Sequence, residues 1–142
     1  MKLSILPKLH GKLLFWAATD WQKQRLISRF NLQQLLNLPL IADDKNLPLV
    51  RRYFAEVFKM KLDTQAVVTV ADLRIVRLLV SLSQGYTVLP KYLGEQQLQI
   101  SILSLLHQTE LYPNNSLHLV WNKTSLRHPI VVYTRDRLLE IL

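Results

Sequence analysis

The sequence predicts an α/β fold, with a mixed and mostly parallel sheet flanked by helices, and two observations carry that prediction. The segment VVTVADLRIVRLLVSLSQGYTVLP, residues 67–90, passes from a short β-branched run through a nearly all-apolar helical stretch into a second short run that stops at Pro90. Along the rest of the chain, short bulky runs alternate with stretches whose apolar residues recur at i, i+3 and i+4. Strand, helix and strand in succession form a βαβ unit, whose right-handed crossover favours a parallel pair.

Each element follows from its residues. KLLFWAA, residues 12–18, is bulky, aromatic and short, and reads as a strand. A polar loop leads to a helical turn at residues 32–36, which ends before Pro39. PLIAD is a brief strand. Asp43, Asp44 and Asn46 offer cap chemistry to a helix carrying Leu49, Val50, Tyr53, Phe54, Val57 and Phe58 on one face, with Arg51, Arg52, Glu56 and Lys59 on the wet side. QAVVTV is a strand, Asp72 a helix cap, and the helix runs over residues 73–84 with a narrow polar stripe of Arg74, Arg77, Ser81 and Gln84. Gly85 closes that helix as a C′ residue, and YTVLP is the next strand. KYLGEQQLQISILSLL gives a helical turn, a break at Gly94 and then a strand or short helix. LHLVW, residues 117–121, is a strand, and IVVYTRDRLLEIL closes the chain as an amphipathic helix.

Composition narrows the function classes. The chain has 142 residues, 49% of them hydrophobic and only 3 glycines, enough for one compact domain with a core. Its 0 cysteines remove disulfides, thiol nucleophiles and thiolate metal sites, which suits a reducing cytoplasm. The N-terminal apolar run is broken by Pro7, Lys8, His10 and Lys12, and LLFWAA falls far short of the roughly 20 residues of a membrane span. The net charge of +8 raises the question of nucleic acid. The basic residues are scattered, however, and no helix-turn-helix, zinc-finger or RNA-binding signature accompanies them.

Local physics names one binding position. In open α/β sheets, ligands sit beyond the carboxyl ends of the strands, where a helix N-terminus offers N–H groups. The joint at Thr69, Val70, Ala71 and Asp72 is that place in this sequence. Catalytic chemistry finds no such footing. His10, His107, His118 and His128 have no metal-ligand spacing, and G-x-S-x-G, P-loop and G-x-G-x-x-G motifs are missing, so neither a metal nor a cofactor is expected.

From about Leu9 onward the sequence resembles the effector-binding domain of LysR-type transcriptional regulators. The resemblance rests on the order of LLFWAATDW, NLQQLLNLPLIADD, LVRRYF, VTVADLRIVRLLVSLSQGYTVLP and LHLVWNKTSLRHPIVVYTRDRLLEIL. One departure falls at the turn before Leu89-Pro90, where the family usually has G-x-G and this chain has Ser83 and Gly85. The resemblance implies a type II periplasmic-binding-protein-like lobe with two hinge strands. It divides the chain into a first-lobe remnant at residues 1–11, a second lobe at 12–122 and a return helix at 123–142, with no DNA-binding domain. It places effector contacts at Ala42, Asp43, Val70, Ala71 and Asp72. In many relatives a small hydroxyl residue stands where Ala42 or Ala71 stands here.

The function expected on that resemblance is non-enzymatic sensing in the cytoplasm. A small co-inducer, anionic in one version, binds in an interlobe cleft and shifts a conformational equilibrium that regulates transcription. Homo-oligomers are implied, and DNA is met only through a separate helix-turn-helix domain. Asp43, Asp44 and Asp72 also read as helix caps, and Arg74 and Arg77 as a solvated stripe. The alternatives are an enzyme or solute-binding component on the same two-lobed fold, or a general basic interaction protein.

Overall fold

The computed structural model describes residues 2–20 and 32–141. It forms two compact units, Lys12–Pro113 in one and Met1–Gly11 with Asn114–Leu142 in the other. The elements are β1 (Lys2–Ala18), α1 (Leu32–Leu36), β2 (Ile41–Ala42), α2 (Pro48–Val57), β3 (Val68–Thr69), α3 (Leu73–Ser81), β4 (Tyr86–Pro90), α4 (Lys91–Gln99), β5 (Leu103–His107), β6 (Asn114–Trp121) and α5 (Pro129–Ile141), with a 3-10 turn at Lys123–Arg127. The polar loop expected before α1 lies largely outside the described residues.

β1 begins at Lys2, well before the bulky run that announces it. Lys8, His10 and Lys12 alternate there with Pro7, Leu9 and Gly11, a period of two that a search for continuous apolar residues passes over. In the larger unit, β1 is the strand between β4 and β5. It pairs antiparallel with β4 from Leu13↔Pro90 to Ala17↔Tyr86, and antiparallel with β5 with a register shift between Phe15 and Trp16. Leu13, Leu14, Trp16 and Ala17 are all buried, which explains a continuous apolar run instead of an alternating one.

The sheet is mixed, but its parallel part is small: β2 with β3, and a single bridge from Leu40 to Tyr86. That bridge, with Tyr86 N–H donating to the Pro39 carbonyl at 3.0 Å, sets β2 beside β4. The βαβ unit at residues 67–90 therefore does not pair its own two strands. β2 lies between them, giving the order β3-β2-β4-β1-β5. β3 is only two residues long, with Val67 and Val68 exposed, as suits an edge strand.

Alternation along the strands separates two cores. Leu13, Ala17, Tyr86 and Val88 join Leu35 of α1 and Val50, Tyr53 and Phe54 of α2. Leu14, Trp16 and Leu89 join Val76 and Val80 of α3, with Leu93 and Leu98 of α4 packed against them. Helices thus cover both faces. Tyr86 is fully buried, and the whole of β4 is buried with it.

Local chemistry departs from the sequence reading at three helix ends or interiors. α2 is capped by Leu47 in a left-handed conformation (φ 55°) with Pro48 next, and no aspartate caps it. Asp44 Oδ1 instead accepts from Asn46 N–H at 2.7 Å, an Asx turn that competes with capping. α3 stops at Ser81, and the C′ residue is Ser83 (φ 61°) rather than Gly85. Ser83 N–H donates to the Val80 carbonyl and Gln84 N–H to that of Leu79, which is a Schellman motif. Gly85 serves close approach, since a Cβ there would lie 2.3 Å from the Pro39 oxygen. α4 runs straight through Gly94, where a Cβ would come within 2.8 Å of the Trp16 indole. Trp16 Nε1 in turn donates to the Leu89 carbonyl at 3.2 Å.

In the smaller unit, β6 pairs with β1, and α5 follows the 3-10 turn with none of its residues buried. Asn122 caps that turn through a 3.1 Å bond from Thr124 N–H. Arg135 stands over the Trp121 ring, 5.5 Å from its centroid.

Candidate functional site

The site begins with the register of the short parallel pair. Ile41 faces Val68 and Ala42 faces Thr69, so the two strands end side by side. Val70 N–H donates to the Ala42 carbonyl at 3.0 Å, which extends the ladder one residue further. Asp72 N–H then reaches the Val70 carbonyl at 2.7 Å, a tight turn that delivers the chain into α3. Backbone pairing thus brings Ala42, with Asp43 next in the chain, beside Val70 and the turn into α3.

These five residues are not equivalent. Ala42 is 2% exposed and its side chain belongs to the core; its carbonyl is already used by Val70. Val70 packs partly against the α3 core. Ala71 is exposed, while Asp43 and Asp72 are half-buried. The open edge therefore consists of one methyl group and two carboxylates.

Asp72 caps α3 and is also an ion-pair partner. Its Oδ1 accepts from Arg74 N–H at 2.9 Å and from Arg74 Nε at 3.2 Å, while Nη2 meets Oδ2 at 2.9 Å. Hydrogen bonds from the Arg74 side chain, then from its backbone N–H, pull the carboxyl down to about 2. Ile75 N–H bonds to the Asp72 carbonyl at 3.1 Å. The helix N-terminus thus already holds an anion of its own, and a second anion there has to displace or face it.

The polar stripe of α3 is likewise used internally. Arg77 donates to the Leu93 carbonyl at 3.1 Å, tying α3 to α4, and Ser81 Oγ donates to the Arg77 carbonyl at 2.8 Å. Gln84 Nε2 donates to the Leu82 carbonyl at 3.0 Å. Besides Arg74, α3 exposes apolar residues: Ile75 and Leu78, with Leu82 at its C-cap, are 41%, 51% and 59% accessible.

Beside the edge lies a cavity of about 350 Å³ lined by Lys45, Asn46, Gln65, Ala66 and Thr69. Sequence reasoning singled out the joint at Thr69 but missed Lys45, Asn46 and Gln65. Their one signal is polarity immediately flanking the two short strands. Elsewhere in the larger unit, Tyr53 Oη and His107 Nδ1 are 3.2 Å apart, burial pushing the tyrosine up and the histidine down. Among the described residues, no three of His, Cys, Asp and Glu gather as a metal-binding group, and no helix is long and apolar enough to cross a membrane.

No protein-family model matches the sequence, and no curated protein matches it. Solved structures do. The LysR-type transcriptional regulator CrgA from Neisseria meningitidis superposes with a TM-score of 0.73 at 12% identity, covering 98% of this chain and 47% of that one. ArgP from Mycobacterium tuberculosis gives 0.76 at 12% identity, covering 98% and 46%. The effector domain of the transcriptional regulator AmpR of Pseudomonas aeruginosa gives 0.65 at 16% identity, covering 99% and 65%. The chain spans about half the length of the CrgA and ArgP chains it matches. At such identities the likeness defines the fold, and this chain has the α/β fold of LysR-type regulatory domains, which is periplasmic-binding-protein-like of type II.

Proposed function

We propose that this chain is the effector-sensing part of a LysR-type bacterial transcriptional regulator, acting in the cytoplasm without catalysis. The observation that supports it is the edge where β2 and β3 end together beside the start of α3, in a fold matched over 98% of the chain by such a regulator. A ligand at that edge meets Asp43, Ala71 and Asp72, with the polar hollow of Lys45, Asn46, Gln65 and Thr69 next to it. With Ala42 turned inward and Asp72 paired with Arg74, the open charges are the Asp43 carboxylate and, in the adjoining hollow, the Lys45 ammonium, neither in an ion pair among the described residues. Together they favour a co-inducer bearing an amine or hydroxyl as well as an acidic group over a simple anion. In this reading residues 1–11, 12–122 and 123–142 keep the lobe assignments made from the sequence. DNA is contacted through a helix-turn-helix domain, and the effector works by favouring one of two arrangements of the regulator.

The exposed row of Ile75, Leu78 and Leu82 supplies the oligomer contact in this proposal. β4 is not part of it, because every residue of that strand is buried. The test is a thermal-shift screen against amino acids, small carboxylates and aromatic acids, since a ligand that binds only the folded state raises the melting temperature. A saturable hit lost in both Asp43→Ala and Ala71→Trp is the expected result. A well-folded chain with no hit, or a hit indifferent to both changes, sinks the assignment of this edge.

A further inference from the structure

A second hollow lies at the C-terminal end of α2. The helix ends at Phe58, and Lys59 takes a left-handed conformation (φ 55°), after which Met60 N–H donates to the Phe54 carbonyl at 3.1 Å. The chain thereby doubles back along its own helix and is pinned by Leu62, which is 2% exposed. Arg51 is held in the hollow so formed, its Nε donating to the Asn46 carbonyl at 2.7 Å and its Nη1 to that of Leu62 at 3.3 Å. The result is a cavity of about 500 Å³ lined by Arg51, Ala55, Lys59, Met60, Lys61 and Leu62.

Beyond the two hydrogen bonds that hold Arg51, two properties of this hollow have no structural use. Its floor is apolar, with Met60 37% exposed. Its rim carries three cations and no carboxylate. The described ion pairs engage Arg52, Arg74, Lys91, Arg135 and Arg137; none engages Arg51, Lys59 or Lys61. One lysine at a helix C-terminus is explained by the carbonyl end of the helix. Three same-sign charges around one concave apolar surface are not, because they repel one another and focus a positive potential into the hollow.

We infer that this cavity binds an amphipathic organic anion, with a carboxylate head between Lys59, Lys61 and Arg51 and an aliphatic body over Ala55, Met60 and Leu62. The volume falls within the roughly 300–1,000 Å³ of small-molecule sites. The inference does not depend on the regulatory reading, and the two fail separately.

Methionine supplies the reporter, since the chain has 2 and the other is Met1. In methyl-labelled full-length chain, octanoate shifts the Met60 resonance saturably. The double variant Lys59→Asn, Lys61→Gln weakens binding about tenfold, the effect of two partly exposed ion pairs, while its melting temperature stays at the wild-type value. Asp43→Ala leaves octanoate binding unchanged. Three results overturn the inference: no saturable shift with octanoate, an equal response to octan-1-ol, or unchanged affinity in a folded double variant. Inorganic phosphate shifting Met60 as strongly as octanoate also overturns it, by reducing the hollow to a polar-anion site.

Discussion

Replacing Gly85 by alanine tests the contact that joins the two parts of the sheet. The added Cβ lies 2.3 Å from the Pro39 oxygen, 3.1 Å from its carbonyl carbon and 3.4 Å from Ile41 Cγ1. Gly85 does not have positive φ, so an alanine suffers no conformational penalty and the cost is steric. Relief to the 3.4 Å of ordinary contact needs an opening of 1.1 Å against backbone, which no rotamer change supplies. That opening stretches the 3.0 Å bond from Tyr86 N–H to the Pro39 carbonyl to about 4 Å, beyond hydrogen-bonding range. Two buried backbone groups are then left without each other, at a cost of about 2–4 kcal/mol. The restricted unfolded chain returns about 0.4–1 kcal/mol. Gly85→Ala should therefore lose about 1–3.5 kcal/mol in urea unfolding followed by tryptophan fluorescence, with an unchanged m-value. A loss below about 0.5 kcal/mol, the range of inert surface changes, would refute the reasoning, because β2 and β4 would then separate at no cost.

Two further outcomes follow from the ends of α3. Ser83 holds a left-handed conformation that a side chain disfavours by about 1 kcal/mol, so Ser83→Gly should gain about 0.5–1 kcal/mol while Ser83→Val loses stability. A destabilised Ser83→Gly in the same urea titration contradicts the Schellman assignment. The folded-state carboxyl of Asp72 titrates at about 2, below its ordinary 3.8. Its contribution is thus fully present above pH 3.8 and is lost as pH falls through 2. Melting temperature against pH should show a shallower acid limb in Asp72→Asn; an identical limb means that Arg74 does not hold the carboxylate in solution.

Elements that bury one face or one long run were legible from residues alone. α2 shows its apolar positions at i, i+3 and i+4, and YTVLP reads as β4 because a strand buried on both sides needs no alternation. The start of β1, with polar residues at alternate positions, was not legible by that criterion. The glycines illustrate the limit. Gly94 looks like a helix break, yet it is a flat surface for Trp16, a residue distant in sequence. Gly85 looks like a C′ glycine, yet Ser83 takes that conformation and Gly85 answers to Pro39.

The candidate site divides in the same way. Thr69 to Asp72 could be named because a strand running into a capped helix is a local pattern. That Ala42 turns inward, and that Asp72 spends its charge on Arg74, depends on where the chain returns. The hollow at Lys59 and Lys61 requires a reversal that no periodicity announces.

By itself, then, the sequence determined the α/β class, most helices and strands, and the joint at residues 69–72, since each follows from propensity and period within a few residues. Tertiary structure alone decided the insertion of β2 between β3 and β4, the antiparallel placement of β1, and which polar groups remain free. Those outcomes rest on contacts between residues far apart in the chain, and local spacing carries no record of them.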